Sequence, residues 1–268
     1  MKLIEQAEYK NTKSGYQTHF HNGYEMILVK NGTAKITINK KTYDCKPGYL
    51  TFISNFEEHS VEASNVTYSR YYAVFNQQQT DREINDPELL SFFKTRPENF
   101  VHFIDVYEKI GVFEDLFLRL LEENDSENLF LTEMSICIIK QILILSLRVL
   151  AEEGKSKKPA EFEIYEVQRF LDENFSKKIL ISEVAKKFYF NEFYLSHRFK
   201  QVCGLSPKQY LKLCRLSAAK KLLLTTSLPA CKIAVRCGFF DANNFSKAFK
   251  EEFSVTPGEY RQKNTAVD

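Results

Sequence analysis

The sequence contains no tryptophan, only 7 prolines and 9 glycines among 268 residues, and no cysteine pair spaced Cys-x-x-Cys. Nothing in the cysteine spacing therefore indicates a zinc site or a redox site. The six cysteines lie at irregular intervals, at positions 45, 137, 203, 214, 231 and 237. We predict that they are small buried hydrophobic residues in a reducing compartment.

A long uninterrupted apolar run is also missing. The first 13 residues mix charged and apolar side chains and lack the apolar core of a secretory signal. The most apolar segment, residues 129–150, is interrupted by Glu133, Lys140 and Arg148, whereas a bilayer span needs about 20 largely uncharged residues. The segment predicts a buried helix rather than a membrane span, and the chain a cytoplasmic protein.

The composition is that of a folded protein, with 44% hydrophobic and 27% charged residues. At about 100–200 residues per domain, the length predicts two domains. The net charge of +2 hides an asymmetry, because residues 1–153 carry 16 basic and 23 acidic side chains, and residues 154–268 carry 21 and 12. The basic C-terminal part has the charge of a nucleic-acid-binding domain, since phosphate neutralisation supplies most sequence-independent affinity.

The N-terminal part shows a β pattern followed by a helical pattern. Short β-like stretches separated by turn residues cover residues 24–30, 33–39, 41–43, 50–54 and 67–75, which favours a small barrel or sandwich. Helical spacing follows at residues 87–93, 107–123 and 130–150. The last helix is apolar around much of its circumference, so it packs within the domain or against a second copy of the chain.

A boundary is expected after these helices. Residues 151–163 contain a glycine, a proline and a run of charges without apolar periodicity, which is typical of a linker. The predicted architecture is α+β with two domains: a β-barrel with helices at residues 1–150, the linker, and an all-α domain at residues 164–268.

An internal repeat dominates the C-terminal domain. The segment Tyr194-Leu-Ser-His-Arg-Phe-Lys200 matches Asn244-Phe-Ser-Lys-Ala-Phe-Lys250 at an offset of 50, and Ser206-Pro207 matches Thr256-Pro257. Each copy predicts a short helix, a turn, and a second helix capped by Asn191 or Asp241. This is the helix-turn-helix arrangement, in which the second helix enters the major groove of DNA.

The spacing within each second helix separates a core side from an outer side. Leu195 and Phe199 form the inward pair of the first copy, and Phe245 and Phe249 that of the second. The outer positions, which we predict to meet DNA, are Glu192, Phe193, Ser196, His197 and Lys200, then Ala242, Asn243, Ser246, Lys247 and Lys250. Asn can bond to adenine, Lys to guanine and Ser to several base edges or a phosphate. A long helix from Ser206 to Leu223 would join the units rigidly and separate their binding sites by about one DNA turn, roughly 34 Å.

Over residues 164–262 the chain resembles the AraC family of bacterial transcription regulators. Beyond the repeat, the resemblance rests on Arg215-Leu216, Gly238-Phe239 with Asp241, and Tyr260-Arg261. It implies a module that reads two adjacent major-groove segments, with base contacts at the outer positions above and phosphate contacts at Lys200 and Lys250. The chain departs from the family pattern at Leu180, where a Ser or Thr cap is usual, and at Tyr189 and Ser254, where Gly is usual.

The N-terminal domain resembles a cupin-like sensor. His19-Phe-His21, Glu25, Gly32 and Pro47-Gly48 follow the cupin pattern, and His59 could complete a set of four metal ligands. Three interpretations of these side chains stay open: contact with a small effector, a polar barrel mouth, or a metal site. Tyr16, Tyr24, Tyr43 and Tyr72 suggest an aromatic, hydrogen-bonding pocket.

The resulting prediction is a sequence-specific DNA-binding regulator controlled by a small molecule bound through His19, His21, Glu25 and His59. The resemblance implies double-stranded DNA, a small effector such as a sugar, RNA polymerase and a second copy of the chain as partners. We expect no catalytic residue, metal or cofactor. The alternative is a metal-dependent cupin enzyme fused to a DNA-binding module.

Overall fold

A computed structural model describes residues 3–11, 16–19, 21, 23–55, 57–63, 68–97, 100–125, 129–154 and 162–265. The chain forms two compact units, Met1–Thr95 with Asn99–Ala160, and Arg96–Glu98 with Glu161–Asp268. The division after Ala160 falls within the predicted linker at residues 151–163. Helical structure continues to Glu152 on one side and resumes at Phe162 on the other. Because residues 155–161 lie outside the described ranges, the linker itself stays a prediction.

Two antiparallel sheets form the β part of the first unit. Their strands, in chain order, are β1 (Ile4–Asn11), β2 (Tyr16–His19), β3 (Gly23–Asn31), β4 (Ala34–Ile38), β5 (Lys41–Cys45), β6 (Tyr49–Ile53), β7 (His59–Ala63), β8 (Ser69–Asn76) and β9 (Phe103–Asp105). One sheet has the order β1-β8-β3-β6-β9 and the other β2-β7-β4-β5. The predicted cupin-like barrel is therefore confirmed, as two facing sheets.

An apolar core fills the space between the sheets. Ile27, Val29 and Val74 come from the larger sheet, and Ile36 and Val61 from the smaller one. Side chains alternate between the two faces of a strand, so Arg70 and Tyr72 of β8 lie on the same inner face as Val74. The opposite face of the larger sheet carries aromatic residues that pack on helices.

Within the described residues, four helices complete this unit: α1 (Gln77–Ile84), α2 (Pro87–Lys94), α3 (Ile110–Asp125) and α4 (Leu131–Glu152), with a 3-10 turn at Tyr107–Lys109. Tyr24 of β3 stacks on Phe93 of α2 at a ring distance of 4.5 Å, and Phe52 of β6 stacks on Phe92 at 4.4 Å. The helices thus cover the outer face of the larger sheet.

By length and composition, α4 is the one described helix that could cross a membrane. It contacts α1, α2, α3 and β9, and Ile139, Ile142 and Leu143 on its inner side are fully buried. It therefore acts as a core helix of this unit. Its other side leaves Met134 and Ile144 exposed.

All secondary structure described in the second unit is helical. Its helices are α5 (Phe162–Asn174), α6 (Ile181–Lys187), α7 (Glu192–Cys203), α8 (Pro207–Thr225), α9 (Ala230–Arg236), α10 (Ala242–Phe253) and α11 (Pro257–Thr265). Helix α8 packs against α5 and α7 on one side of the repeat and against α9 and α11 on the other. One continuous helix therefore belongs to the cores of both helix-turn-helix units.

The prediction for the cysteines is correct for four and wrong for two. Cys45, Cys203, Cys214 and Cys237 are buried, whereas Cys137 and Cys231 are exposed. The two exceptions lie on the exposed sides of α4 and α9. Burial of a residue on an amphipathic helix depends on its side, which residue type alone does not predict.

Candidate functional site

The first unit contains a cavity of about 490 Å³ at one end of the barrel. Its walls come from the inner face of the β1-β8-β3 part of the larger sheet and from the segment that includes β2. The side chains in these walls are Glu5, Gln6 and Lys10 of β1, Arg70, Tyr72 and Val74 of β8, and His19, His21 and Glu25. This volume lies in the range of small-molecule sites, about 300–1,000 Å³.

One wall of the cavity, the basic wall, carries two cations, of which Lys10 also forms an ion pair with Glu8 at 3.3 Å. Lys10 of β1 is paired directly with Arg70 of β8 in the antiparallel register, and Arg70 is only 3% exposed. Both cations also contact the ring of Tyr72, with Lys10 Nζ 5.1 Å and Arg70 Cζ 5.5 Å from the ring centroid. Such cation–π contacts hold the two charged groups against the wall.

At another part of the cavity the predicted histidines and Glu25 come together. Glu25 Oε2 lies 2.9 Å from His21 Nε2 and 2.8 Å from His59 Nε2. The rings of His19 and His59 are 4.3 Å apart. Glu25 and His59 are buried, His21 is partly buried and His19 is exposed. The four predicted effector residues therefore form one cluster.

The ionisation of this cluster follows from its hydrogen bonds. Burial alone raises the pKa of Glu25, but hydrogen bonds from His21 and His59 and the charge of these histidines outweigh it and lower the pKa to about 2. Burial lowers the pKa of His59, but Glu25 and the Glu57 carbonyl outweigh it, and the net shift is upward. His59 Nδ1 lies 2.9 Å from the Glu57 carbonyl oxygen. That oxygen can only accept, so Nδ1 carries a hydrogen and donates to it. Nε2 lies beside the Glu25 carboxylate at 2.8 Å, where a positive charge on the ring is favoured.

The same cluster could also hold a metal ion. The nearest ligand atoms of His19, His21, Glu25 and His59 all lie within 4.8 Å of one another. Three imidazoles and one carboxylate suit a divalent transition metal, and a backbone carbonyl that fixes His59 through Nδ1 is a usual outer partner of a metal-binding histidine. The donor set therefore fits a divalent metal ion. The contacts of Glu25 with His21 and His59 hold the same side chains together when no metal is bound.

The predicted aromatic pocket is only partly correct. Tyr72 lines the cavity, but Tyr24 lies on the opposite face of the sheet, where its hydroxyl donates to Asp81. Tyr43 bonds to His102 Nδ1 at 2.8 Å and belongs to the core between the sheets. The strand alternation decides which face each tyrosine occupies. The side chain of Tyr16 lies outside the described residues.

The second candidate site consists of the two helix-turn-helix units. In the first, α6 and α7 contact each other, and in the second, α9 and α10 do so. The predicted caps are present: Asn191 accepts from the Phe193 N–H at 2.8 Å and Asp241 from the Asn244 N–H at 2.7 Å. Each cap fixes the point at which the exposed helix begins.

Helices α7 and α10 have nearly the same exposure pattern. The inward pairs Leu195/Phe199 and Phe245/Phe249 are fully buried. Every predicted DNA-contacting position is exposed or partly exposed: Glu192, Phe193, Ser196, His197, Lys200, Ala242, Asn243, Ser246, Lys247 and Lys250. The repeat therefore presents two equivalent faces, which carry different side chains.

A model of the AraC-like ligand binding domain matches residues 4–134, and a helix-turn-helix domain model matches residues 184–263. The chain belongs to the AraC family of transcription regulators. As an AraC-type regulator, it has an N-terminal ligand-binding domain and a C-terminal helix-turn-helix domain. The cavity lies in the first of these domains and the paired exposed helices in the second.

Curated relatives match this AraC-family chain over nearly its whole length. The HTH-type transcriptional activator RhaS of Klebsiella pneumoniae is 26% identical over 267 residues, covering 95% of this chain and 91% of the relative. RhaS of Citrobacter koseri is also 26% identical, with the same coverage. These relatives are transcriptional activators, in agreement with a regulatory rather than an enzymatic protein.

Solved structures share the fold. ToxT from Vibrio cholerae matches with a TM-score of 0.59 at 14% identity, covering 97% of this chain and 98% of ToxT. A ToxT structure with a bound unsaturated fatty acid matches with a TM-score of 0.57 at 15% identity, covering 100% and 99% of the two chains. At this identity the likeness concerns the fold alone.

The departures from the AraC-family pattern have visible consequences. Leu180 stands at the N-cap of α6 and makes no side-chain cap bond. Tyr189 and Ser254 adopt left-handed backbone conformations, with φ of 60° and 61°. The equivalent positions in the other repeat are Gly238 and Gly204, with φ of 82° and 76°. Both units keep the same turn geometry, and the chain places side chains where glycine is favoured.

Sequence reasoning missed the basic wall and the supports of the helix-turn-helix units. Lys10 and Arg70 are 60 positions apart, and only the register of β1 on β8 brings them together. Arg215 donates to the carbonyls of Phe175 and Lys177. Arg261 donates to those of Leu223, Thr226 and Leu228. These arginines bind the turns that enter the two units, and both were visible beforehand only as part of the family pattern.

Proposed function

We propose that the protein regulates transcription by placing α7 and α10 in two consecutive major-groove segments of one DNA site. The observation that carries the proposal is the matched exposure of the two helices on the shared support of α8. The positions assigned to base edges are Glu192, Phe193, Ser196 and His197 in α7, and Ala242, Asn243, Ser246 and Lys247 in α10. Lys200 and Lys250 bind the flanking phosphates.

The side chains differ between the two faces, so each helix selects its own bases. Asn243 can bond bidentately to adenine and Lys247 to guanine. Glu192 is repelled by phosphate and accepts instead from a cytosine amine in the groove. A DNA site with two unlike elements follows, separated by about one helical turn, roughly 10 base pairs.

Selection of genomic fragments by the purified protein tests this proposal. The native chain, the Asn243→Ala/Lys247→Ala variant and the Ser196→Ala/His197→Ala variant are compared. We expect native protein to enrich sites with two elements, and each variant to lose selectivity at one element, a different one in each case. Enrichment no greater than a salt-sensitive background for the native chain, or loss of both elements in both variants, would contradict the proposal.

We further propose that a small effector such as a sugar occupies the cavity near His19, His21, Glu25 and His59 and controls DNA binding. A ligand shifts the balance of two conformations only by its difference in affinity for them. Operator affinity is therefore measured by fluorescence anisotropy with and without candidate effectors, on native protein and on His21→Ala. An affinity change in native protein that the variant loses supports the proposal. If no compound changes operator affinity, the proposal is wrong and the protein regulates constitutively.

The remaining partners are a second copy of the chain and RNA polymerase, in the cytoplasm. Met134 and Ile144 are 51% and 39% exposed on the outer side of α4, and an apolar helix side of this kind suits a homodimer interface. Sedimentation of Met134→Glu/Ile144→Glu is expected to show a monomer, whereas Val101→Glu, at another exposed apolar residue, remains dimeric. A monomeric native chain would refute the proposal of a homodimer.

The proposed effect on RNA polymerase is tested separately. It is measured as the transcript yield of a reaction that contains purified polymerase and this protein.

The donor cluster favours a second candidate function, a metal-dependent cupin enzyme fused to the DNA-binding module. Such an enzyme would need one iron, manganese or nickel ion per chain on His19, His21, Glu25 and His59. Metal analysis of purified protein, followed by metal titration of native protein and of His59→Gln, decides between them. Stoichiometric metal that His59→Gln loses supports the enzyme, and a metal-free chain that ignores added metal eliminates it.

A further inference from the structure

Two cations share the basic wall of the cavity at directly opposed positions. Lys10 and Arg70 are register partners on β1 and β8, and both side chains line the cavity. Like charges placed opposite each other destabilise an antiparallel pair. Glu8 balances part of the charge of Lys10 at 3.3 Å. An anionic group bound between Lys10 and Arg70 gains charge-assisted hydrogen bonds from both.

The surroundings of Arg70 orient its guanidinium. Its Cζ atom lies 5.5 Å from the ring centroids of both Tyr68 and Tyr72, and the residue is 3% exposed. A guanidinium carries five N–H donors in a planar fork that matches the oxygens of a carboxylate or phosphate. Lys10 adds a point charge, with its Nζ 5.1 Å from the centroid of the Tyr72 ring.

The rest of the cavity is suited to hydroxyl groups. Glu25 lies opposite Val74 in the β3–β8 register, four residues along β8 from Arg70, or about 13 Å at 3.3 Å per residue. The distance between the charged groups is shorter than this backbone distance, because the side chains of Lys10 and Arg70 are long. Among the described lining residues Val74 is the one aliphatic side chain, and the other eight carry polar or charged groups that can bond to hydroxyls.

We propose that the effector is an anionic polyhydroxy compound, a sugar acid or a sugar phosphate. Its charged group lies between Lys10 and Arg70, and its hydroxyls bond to His19, His21 and Glu25. The inference rests on the proposed function, in which this cavity is the effector site. It goes further by naming the charge of the ligand and the two residues that recognise it.

Calorimetric titration of the full-length protein tests the proposal. The probes are D-glucuronate, D-gluconate and glucose 6-phosphate, with D-glucose and oleate as comparisons, all as sodium salts where charged. We expect at least one anionic sugar derivative to bind, and D-glucose to bind at least about tenfold more weakly, since charge-assisted hydrogen bonds are worth about 1.5–3 kcal/mol. Comparison of the two carboxylates with the phosphate shows which kind of anionic group the cavity recognises. Absence of binding by all three, equal binding of D-glucose, or tighter binding of oleate would overturn the inference.

Variants then locate the binding. Lys10→Met keeps the side-chain stem and removes the charge, and Arg70→Lys keeps the charge and removes the planar fork. Each substitution is expected to weaken binding of the anionic probe at least about tenfold. Lys35→Met, an exposed position on β4, is the matched control and leaves affinity unchanged. Unchanged affinity in both cavity variants would refute the inference. Operator binding without effector is measured on the same proteins. A protein that binds the operator but no anion contradicts this inference and leaves the DNA-binding proposal intact.

Discussion

Lys10 and Arg70 face each other across the β1–β8 ladder and contact the same ring, that of Tyr72. The strand register therefore opposes two cations, and the ion pair of Lys10 with Glu8 at 3.3 Å offsets part of their repulsion. A wall of this kind makes the stability of the N-terminal unit sensitive to whatever anion it binds.

The repulsion is measurable as a coupling energy. In a double-mutant cycle with Lys10→Met and Arg70→Met, we expect the double variant to lose more stability than the sum of the single losses. The reason is that each single change already relieves the repulsion, which the double variant can relieve only once. The expected excess is about 0.2–1 kcal/mol, measured by urea unfolding at low salt without ligand.

A cross-strand pair of opposite charge provides the control for this cycle. Lys35 on β4 is the register partner of Asp44 on β5, and both are exposed. In the cycle with Lys35→Met and Asp44→Asn, the double variant should lose less stability than the sum. A coupling of the same sign in both cycles would show that Lys10 and Arg70 do not repel each other.

The left-handed residue Tyr189 predicts a stabilising substitution. Tyr189 has φ of 60° and is 98% exposed, so Tyr189→Gly removes backbone strain without removing packing. We expect the free energy of unfolding to rise by about 0.5–1 kcal/mol, because the left-handed conformation costs a side-chain-bearing residue about 1–2 kcal/mol and glycine little. Urea unfolding measures the change.

The equivalent glycine of the second unit should respond in the opposite direction. A Cβ atom on Gly238 would lie 2.6 Å from the Phe175 carbonyl oxygen and 2.9 Å from that of Ser176. Gly238→Ala is therefore expected to destabilise the protein by more than about 1 kcal/mol. If Tyr189→Gly also destabilised it, the turn of the first unit would need its tyrosine for a reason other than backbone geometry.

The Glu25–His59 pair predicts a pH window of stability. The raised pKa of His59 gives a contribution that is present below the unfolded value of about 6.5 and is lost as pH rises through the folded value. The lowered pKa of Glu25, about 2, gives one that is present above about 4.3 and is lost as pH falls towards the folded value. We expect the stability difference between native protein and Glu25→Gln to be largest near pH 5–6.

Chemical unfolding from pH 3 to pH 9 tests this expectation. Glu62→Gln, at an exposed position on β7, serves as the control and should give a small difference at every pH. A difference for Glu25→Gln that grows steadily towards pH 9 would show that His59 is not charged in the folded protein.

Salt dependence separates phosphate contacts from base contacts. Lys200→Ala and Lys250→Ala should weaken DNA binding about equally on all sequences and lower the slope of log affinity against log salt by about 1 each. Asn243→Ala should leave that slope unchanged and reduce discrimination by about 1–3 kcal/mol at one base pair. Binding isotherms at several salt concentrations provide the data, with Lys35→Ala as the control. A slope altered by Asn243→Ala but not by the two lysine variants would reverse these assignments.

The helical half of the protein was more predictable than the sheet. The duplication makes Asn191 and Asp241, and the inward pairs four apart, visible as repeated signals. Helices α7 and α10 begin directly after these caps, and α8 begins directly after Ser206. In the first unit β1, β2, β7 and β9 were missed, as was α1. Their sequences mix charged and apolar residues, and β1 carries alternating polar side chains because one of its faces lines a cavity rather than a core.

One part of the candidate effector site was predictable from the sequence, and the other part was not. His19, His21 and Glu25 are close in sequence, so their grouping follows from the strand and turn that carry them. The basic wall depends on strand register over 60 positions, which residue pattern alone does not determine. Tyr24 and Tyr43 were misplaced because their strand faces could be assigned only when the sheets were known.

The continuity of α8 limits how the DNA site of this protein can change during evolution. Its 19 residues run from one helix-turn-helix unit to the other, and each residue of an α-helix adds about 1.5 Å and 100° of rotation. A single inserted residue would turn one recognition surface away from the groove that the other occupies. If α7 and α10 read two elements of one operator, as proposed, these elements can diverge base by base while the distance between them stays constant in any descendant that keeps this helix.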